Sequence, residues 1–474
     1  MTARYITTTL PYVNADPHIG FALEIVQADA WARARRLAGD EVFFSTGTDE
    51  HGQKIFDAAV AEGLPIKEYV DKYAKRFEEL KGTLDLSNDT FIRTTDEHHV
   101  AAAQEMWRRC DAAGDIYKDT FEGLYCVGCE RYLAERDLVE GKCPLHPNLT
   151  PEKVTEENYF FRFSKYAGRL HEYLTAEAVV PETRRRDALQ FIEDGLIDFS
   201  VSRRKERMSW GVPVPSDEDH VMYVWFDALT NYVSTLGWPD DAEGNFTKFW
   251  ENGTTMQVAG KDQVRFQSLM WQAMLMSAGI KPTDRIVYHG FVISGGRKMS
   301  KSSGDAVNPF DLVEEFGTDA VRYFILRHLH PFEDSDFTRE RFVESYNAGL
   351  ANGLGNLVSR VMKMAEAHLD APVAVPEHSI PDTYFDLLDG YRFNEAADLV
   401  WKEIADCDLR IQETQPFKVV KEDAEKGKAL ISELAVRLYT IGRMLNPLMP
   451  ATSKLIKDAV KANTKPENLF ARKD

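Results

Sequence analysis

Two kinds of hydrophobic spacing alternate along the first 110 residues. "YITTTL" (5–10) is β-branched and apolar, while "FALEIVQADAWARARRL" (21–37) sets Ala22, Ile25, Val26 and Trp31 at helical intervals on a mixed face. "EVFFSTG" (41–47) and "TFIRTTD" (90–96) return to strand composition. Strands alternating with helices predict a parallel sheet, whose ligands bind beyond the carboxyl ends of its strands. From about 115 to 220, turn residues and charges replace this pattern. It resumes with "VMYVWF" (221–226), "TTMQVAG" (254–260) and "RIVYHGFVI" (285–293) as strands and "QVRFQSLMWQAMLMSAG" (263–279) as a helix. An interrupted and resumed pattern predicts an insertion between two halves of one sheet. Beyond about 340 only helical spacing remains, with Phe342, Tyr346, Leu350, Leu354, Leu357, Val361 and Ala365 on one stripe. Similar spacing in 395–411 and 429–445 predicts an all-α bundle.

Composition adds a few bounds. The 474 residues call for two to four domains. A hydrophobic content of 44% with 28% charged residues reads as soluble and globular. No apolar run has the length of a signal peptide core or a membrane span, so a cytoplasmic protein with no membrane partner is expected. The formal charge of −19 gives no general support to nucleic-acid binding. A polyanion would need local basic surface, for which "RRR" (184–186) and "RRKER" (203–207) are the candidates, unless they are solvated faces. Met270, Met274 and Met276 read as core fillers.

Five cysteines in a chain of this length point to a reducing compartment rather than a disulfide scaffold. Cys126-x-x-Cys129 and Cys143-x-x-His146 form two pairs separated by thirteen residues. Each short pair can offer two of the four tetrahedral ligands that zinc prefers, giving one closed, structural site. A redox Cys-x-x-Cys with an incidental histidine is the other reading of the same residues.

Two loops carry candidate chemistry. "PHIGFALE" (17–24) runs from a turn straight into a helix, where His18 either caps the helix or faces a phosphate at its N-terminus. "SGGRKMSKSSG" (294–304) follows a strand and places Lys298 and Lys301 on a glycine-rich loop, suited to the charge on a departing pyrophosphate.

The motifs "TLPYVNADPHIG", "TGTDEHG", "SVSR…WGVPVP", "YVWFDA", "AGKD", "HGF" and "KMSKSSG" occur in this order along the chain. Taken together they resemble the methionyl-tRNA synthetases, a class I aminoacyl-tRNA synthetase family, over the whole length. The resemblance implies an α/β fold. A Rossmann-type parallel sheet (1–113 and 221–284) is split by a zinc-binding connective insertion (114–220). A stem-contact region with the KMSKS loop (285–340) and an all-α helical anticodon-binding domain (341–474) follow. It implies methionine activation by ATP with Mg²⁺, then transfer to tRNA(Met). The methionine carboxylate is itself the nucleophile, so catalysis rests on positioning and charge stabilisation, with His18, Lys298 and Lys301 as catalytic residues.

By the same resemblance, ATP meets Gly20, Glu24, Gly260, Lys261, Asp262, His289, Val292 and Lys301. Methionine meets Leu10, Tyr12, Asp49, Trp225, Tyr232, Gln263 and Gln267, although Trp225 taken alone reads equally as core. Zinc is held by Cys126, Cys129, Cys143 and His146, and the anticodon is read by Asn356, Arg360, Pro416 and Phe417. Single-stranded loops are read by stacking and base-edge hydrogen bonds, which suits those last residues. A monomer is expected.

Three positions depart from the family pattern. Phe21 stands where a second histidine is usual, Gln263 and Gln267 replace an apolar residue and a histidine, and Phe417 replaces a tryptophan. Two buried amides beside a thioether need partners, and the expectation is that they bond one another, Tyr12 or water. A synthetase for leucine, isoleucine or valine is the rival enzyme, but its editing insertion is larger than the hundred or so residues between the sheet halves. A degenerate RNA-binding relative is the rival non-enzyme, which the retained Lys298 and Lys301 disfavour.

Overall fold

Tyr5, Ile6 and Thr7 are buried because their strand has neighbours on both sides. The computed structural model describes residues 2–126, 131–133, 138–144, 148–294, 297–298, 307–376 and 380–473. It divides into two compact units: Met1–Pro17, Val42–Glu79 and Asn88–Tyr288; and His18–Glu41, Leu80–Ser87 and His289–Asp474.

The first unit is built on a six-stranded sheet, ordered Thr90–Arg93, Glu41–Thr48, Ala3–Thr7, Thr254–Gly260, Arg285–His289, Val179–Val180. Ala3–Thr7 and Thr254–Gly260 run parallel, with Tyr5 opposite Thr255 and Thr7 opposite Gln257. The two outer pairs are parallel as well. From this central pair the chain builds outward in opposite directions, so the topological switch point lies between them. Gly47 allows a close strand approach: a Cβ there would stand 1.9 Å from the Ile92 carbonyl oxygen.

Two expectations are corrected. "VMYVWF" is not one strand of the main sheet. Asp217–Met222 belongs to a separate antiparallel sheet with Pro213–Val214 and Ser202–Arg204, and Val224–Leu229 is helical. "RIVYHGFVI" breaks at Gly290, giving Arg285–His289 in the main sheet and Val292–Ser294 in a small sheet with Arg297–Lys298 and Ser335–Asp336. Short apolar runs carry too little periodicity to fix either outcome. The sheet's sixth strand, Val179–Val180, comes from within 114–220. That range also carries a four-stranded antiparallel sheet, Arg131–Leu133, Ile116–Cys126, Glu152–Phe161 and Phe199–Ser200.

In the second unit, helix Ile19–Leu37 is buried nearly all round, including Glu24, Gln27 and Asp29. It packs on helices Thr318–His328 and Asp382–Asp389. Burial of Asp29 is compensated by Arg322, itself fully buried, whose Nη2 lies 2.7 Å from the carboxylate. The same guanidinium donates to the carbonyls of Leu84, Pro447 and Leu448. Desolvation pushes the Asp29 carboxyl upward, but Arg322, Arg33 and Ser87 together hold it below its ordinary range. After Ser335–Asp336 every described element is helical. Helices Asn356–His368, Phe393–Thr414 and Ala424–Met444 pack on one another, and Pro416–Glu422 and Pro450–Ala462 pack on Ala424–Met444.

Candidate active site

The cleft of the first unit opens where sheet topology places it. Three strand ends deliver its floor: Thr9–Tyr12 after Ala3–Thr7, Asp49 after Glu41–Thr48, and Lys261–Gln267 after Thr254–Gly260. Together with Trp225, Ala228, Leu229, Asn231 and Tyr232 they enclose about 820 Å³. The backbone zips Tyr12 beside Asp49: Asp49 N–H donates to the Pro11 carbonyl at 3.0 Å, and Val13 N–H donates to the Asp49 carbonyl at 3.3 Å. Tyr12 meets Trp225 edge-on at 6.2 Å, and Trp225 stacks on Phe266 at 3.9 Å and 14°. The result is a wall of three aromatic rings with a buried carboxylate at its edge.

Gln267 and Tyr232 are both buried, and Gln267 Nε2 donates to the Tyr232 hydroxyl at 2.6 Å. For Gln267, the expected pairing with Gln263 or Tyr12 is replaced by a bond to the other tyrosine. Gln263 Oε1, Gln267 Oε1 and Trp225 Nε1 are buried and have no partner among the described residues.

Several lining residues escaped the sequence reading. For Phe266 the available signal was its place directly before the pocket residue Gln267. Asp187, Gln190 and Phe191 of helix Glu182–Glu193, its C-terminal cap Asp194, and Pro144 come from 114–220 and carried no local signal. Asp227 was missed too. Its buried carboxylate accepts from His51 Nδ1 at 2.6 Å and His99 Nε2 at 2.8 Å. Burial drives its acidity down, but the two imidazoles outweigh this and hold the carboxyl below its ordinary range. Glu50, between Asp49 and His51, is held by Arg93, Thr48 and Thr95. Its carbonyl accepts from Trp210 Nε1 at 2.6 Å. The segment that presents Asp49 is thus fixed at each flanking residue.

The residues matched to ATP divide between the units, with Gly260, Lys261 and Asp262 in the first and Gly20, Glu24, His289 and Val292 in the second. His18 is a capping histidine: its Nδ1 accepts from Gly20 N–H at 3.0 Å, which leaves the ring proton on Nε2 whenever the ring is neutral. A Cβ on residue 20 would come within 2.8 Å of the His18 ring, so the cap itself requires glycine there. Glu24 Oε2 and His289 Nε2 are 2.9 Å apart, and His289 Nδ1 donates to the Gly290 carbonyl. Lys298 lies in the short strand Arg297–Lys298, and Lys301 lies outside the described residues.

Cys126 and Cys143 are buried in one small core with Leu133. Cys129 and His146 lie outside the described residues, among which no group of three ligating side chains is arranged for a metal. The two buried thiols, one from each sequence pair, are half of the four donors a structural zinc takes.

Asn356 is exposed and Arg360 half-buried on the helix Asn356–His368, where Arg360 Nη1 meets Asp408 Oδ1 at 2.6 Å. Pro416 is buried and Phe417 exposed at the start of Pro416–Glu422. Most of the arginines in the two basic runs have acidic neighbours. Arg184 pairs with Asp187, Arg185 and Arg186 pair with Glu182, Arg204 and Arg207 meet Glu157 and Glu156, and Arg203 is buried. No described helix is long and apolar enough to cross a membrane.

The family model described as "tRNA synthetases class I (M)" matches residues 4–150 and 148–362. The methionine–tRNA ligase of Caldanaerobacter subterraneus subsp. tengcongensis is 39% identical over 467 residues, covering 95% of this chain and 72% of that protein. That of Rhizobium meliloti is 38% identical over 97% of this chain and 92% of its own length. The structure of Mycobacterium tuberculosis methionyl-tRNA synthetase in complex with methionyl-adenylate superposes with a TM-score of 0.89 at 37% identity, covering 97% of this chain and 94% of that one. The chain belongs to the methionyl-tRNA synthetases of class I.

Proposed function

We infer that the chain activates methionine with ATP, releasing pyrophosphate, and transfers the methionyl group to the 3′-terminal adenosine of tRNA(Met). The observation that carries this is the convergence of Tyr12, Trp225, Phe266, Tyr232 and the buried Asp49 on one cleft at the switch point. An unbranched thioether gains from aromatic faces, and a buried carboxylate is the natural partner of the substrate ammonium. Leu10, Gln263 and Gln267 complete this pocket in our reading.

The methionine carboxylate attacks the α-phosphate directly, forming the acyl–phosphate bond as the bond to pyrophosphate breaks, with no enzyme nucleophile. The chain's part is orientation and charge stabilisation. We assign ATP to Gly20, Glu24, Gly260, Lys261, Asp262, His289 and Val292, and the developing negative charge to His18, Lys298 and Lys301. A neutral His18 capping through Nδ1 carries its ring proton on Nε2. Mg²⁺ accompanies ATP and offsets its phosphate charge.

Zinc belongs to Cys126, Cys129, Cys143 and His146 in this reading, holding together a segment whose described core is very small. We assign the anticodon to Asn356, Arg360, Pro416 and Phe417, for which the exposure of Asn356 and Phe417 is the support. We also propose a cytosolic location, from the thiol usage, and a monomer, which light scattering tests.

The decisive measurement is amino-acid-dependent exchange of pyrophosphate into ATP. Methionine should exceed leucine and glutamine by at least a thousandfold in kcat/KM. A glutamine preference would overturn the substrate while leaving the synthetase fold in place.

A further inference from the structure

Residues Arg265–Met270 are wound as a π-helix, and Trp271 N–H donates to the Phe266 carbonyl, five residues back. An α-helix would send that bond to Gln267, four back. Such turns are rare and need support from elsewhere in the fold. Here the Gln267 carbonyl accepts from the side-chain Nε2 of Gln272 at 2.9 Å.

The orientation of the Gln272 amide is fixed by its partners. Its Oε1 accepts from Thr283 N–H at 2.9 Å, and a backbone N–H can only donate. The amino group must therefore face the Gln267 carbonyl, with a further contact to Thr283 Oγ1 at 3.2 Å. The Thr283 hydroxyl in turn donates to Gln257 Oε1 at 2.8 Å, on the central strand Thr254–Gly260. A line of buried hydrogen bonds thus runs from the sheet through Thr283 and Gln272 to the turn that carries Phe266 and Gln267. Gln267 Nε2 extends it to the Tyr232 hydroxyl. Gln272 is fully buried and lines none of the cleft.

We infer that Gln272 is a positioning residue for the amino-acid pocket, acting through the π-turn that sets Phe266 against Trp225 and Gln267 against Tyr232. This rests on the reading of the cleft as the methionine site. A side chain that fixes only this wall acts on methionine binding, because the ATP residues Gly260, Lys261 and Asp262 precede the turn.

The variant that separates the two bonds is Gln272→Glu. Its carboxylate still accepts from Thr283 N–H but no longer donates to the Gln267 carbonyl. Exchange kinetics should show a methionine KM raised at least fivefold, with the ATP KM and kcat within twofold of the parent enzyme. Thr283→Val introduces no charge, removes the link to Gln257, and should shift the methionine KM in the same direction by twofold or more. An unchanged methionine KM in Thr283→Val, or equal losses in both KM values and kcat in both variants, overturns the inference. Absence of methionine-dependent exchange in the parent enzyme would instead overturn the reading of the cleft.

Discussion

His51 Nδ1 stands 2.6 Å from Asp227 Oδ2, and this bond ties the segment presenting Asp49 to the helix presenting Trp225. The carboxylate also takes His99 on its other oxygen, so one buried group anchors two walls of the cleft. Asp227→Asn keeps the shape and removes the charge. The methionine KM is expected to rise about tenfold, or ~1.4 kcal/mol, with kcat little changed. The thermal midpoint should also fall, since a buried charged hydrogen bond contributes roughly 1.5–3 kcal/mol. Steady-state exchange and calorimetry check both.

Zinc content follows the cysteine pairs. The purified protein should carry one zinc, and Cys126→Ser should lose it together with most tRNA charging, while the catalytic unit retains its melting transition. Elemental analysis beside aminoacylation decides the matter; metal-free protein with full stability and charging would contradict the assignment.

Arg360→Ala addresses tRNA without touching the cleft. The anticodon assignment predicts at least a tenfold rise in the tRNA KM for aminoacylation, about 1.4 kcal/mol or more, and no change in methionine-dependent exchange. A parallel fall in exchange would mean that Arg360 supports the fold through Asp408 rather than reading RNA.

Acid stability should show His328 of the second unit. Burial, with Arg327 and Arg341 alongside, pushes the His328 imidazole down to about 4 from an ordinary 6.5. The neutral ring is the folded form, so the unfolded chain binds more protons between these values. The contribution is complete above about pH 6.5 and is lost as pH falls toward about 4. The full difference is on the order of 3 kcal/mol, and partial exposure of the ring reduces it to about half. His328→Gln should flatten the stability profile in that window, as read by denaturant titration at several pH values.

Local pattern determined much of this protein. Element type in "YITTTL", in the long helix after His18 and in the helices beyond 340 was legible because hydrophobic period is a property of neighbouring residues. The pocket aromatics were legible only through motifs, since Tyr12, Trp225 and Tyr232 have no local reason to meet. Tertiary structure alone decided what depends on distant partners. It recruited Val179–Val180 into the main sheet, and it ended "VMYVWF" as a strand at Met222 and continued it as a helix. It sent Gln267 to Tyr232 rather than to Gln263, and it made acceptable the burial of Asp29 and Asp227 by bringing Arg322, His51 and His99 to them. A buried polar group is stable only with its partner in place, and that partner can lie hundreds of residues away, where no window on the sequence reaches it.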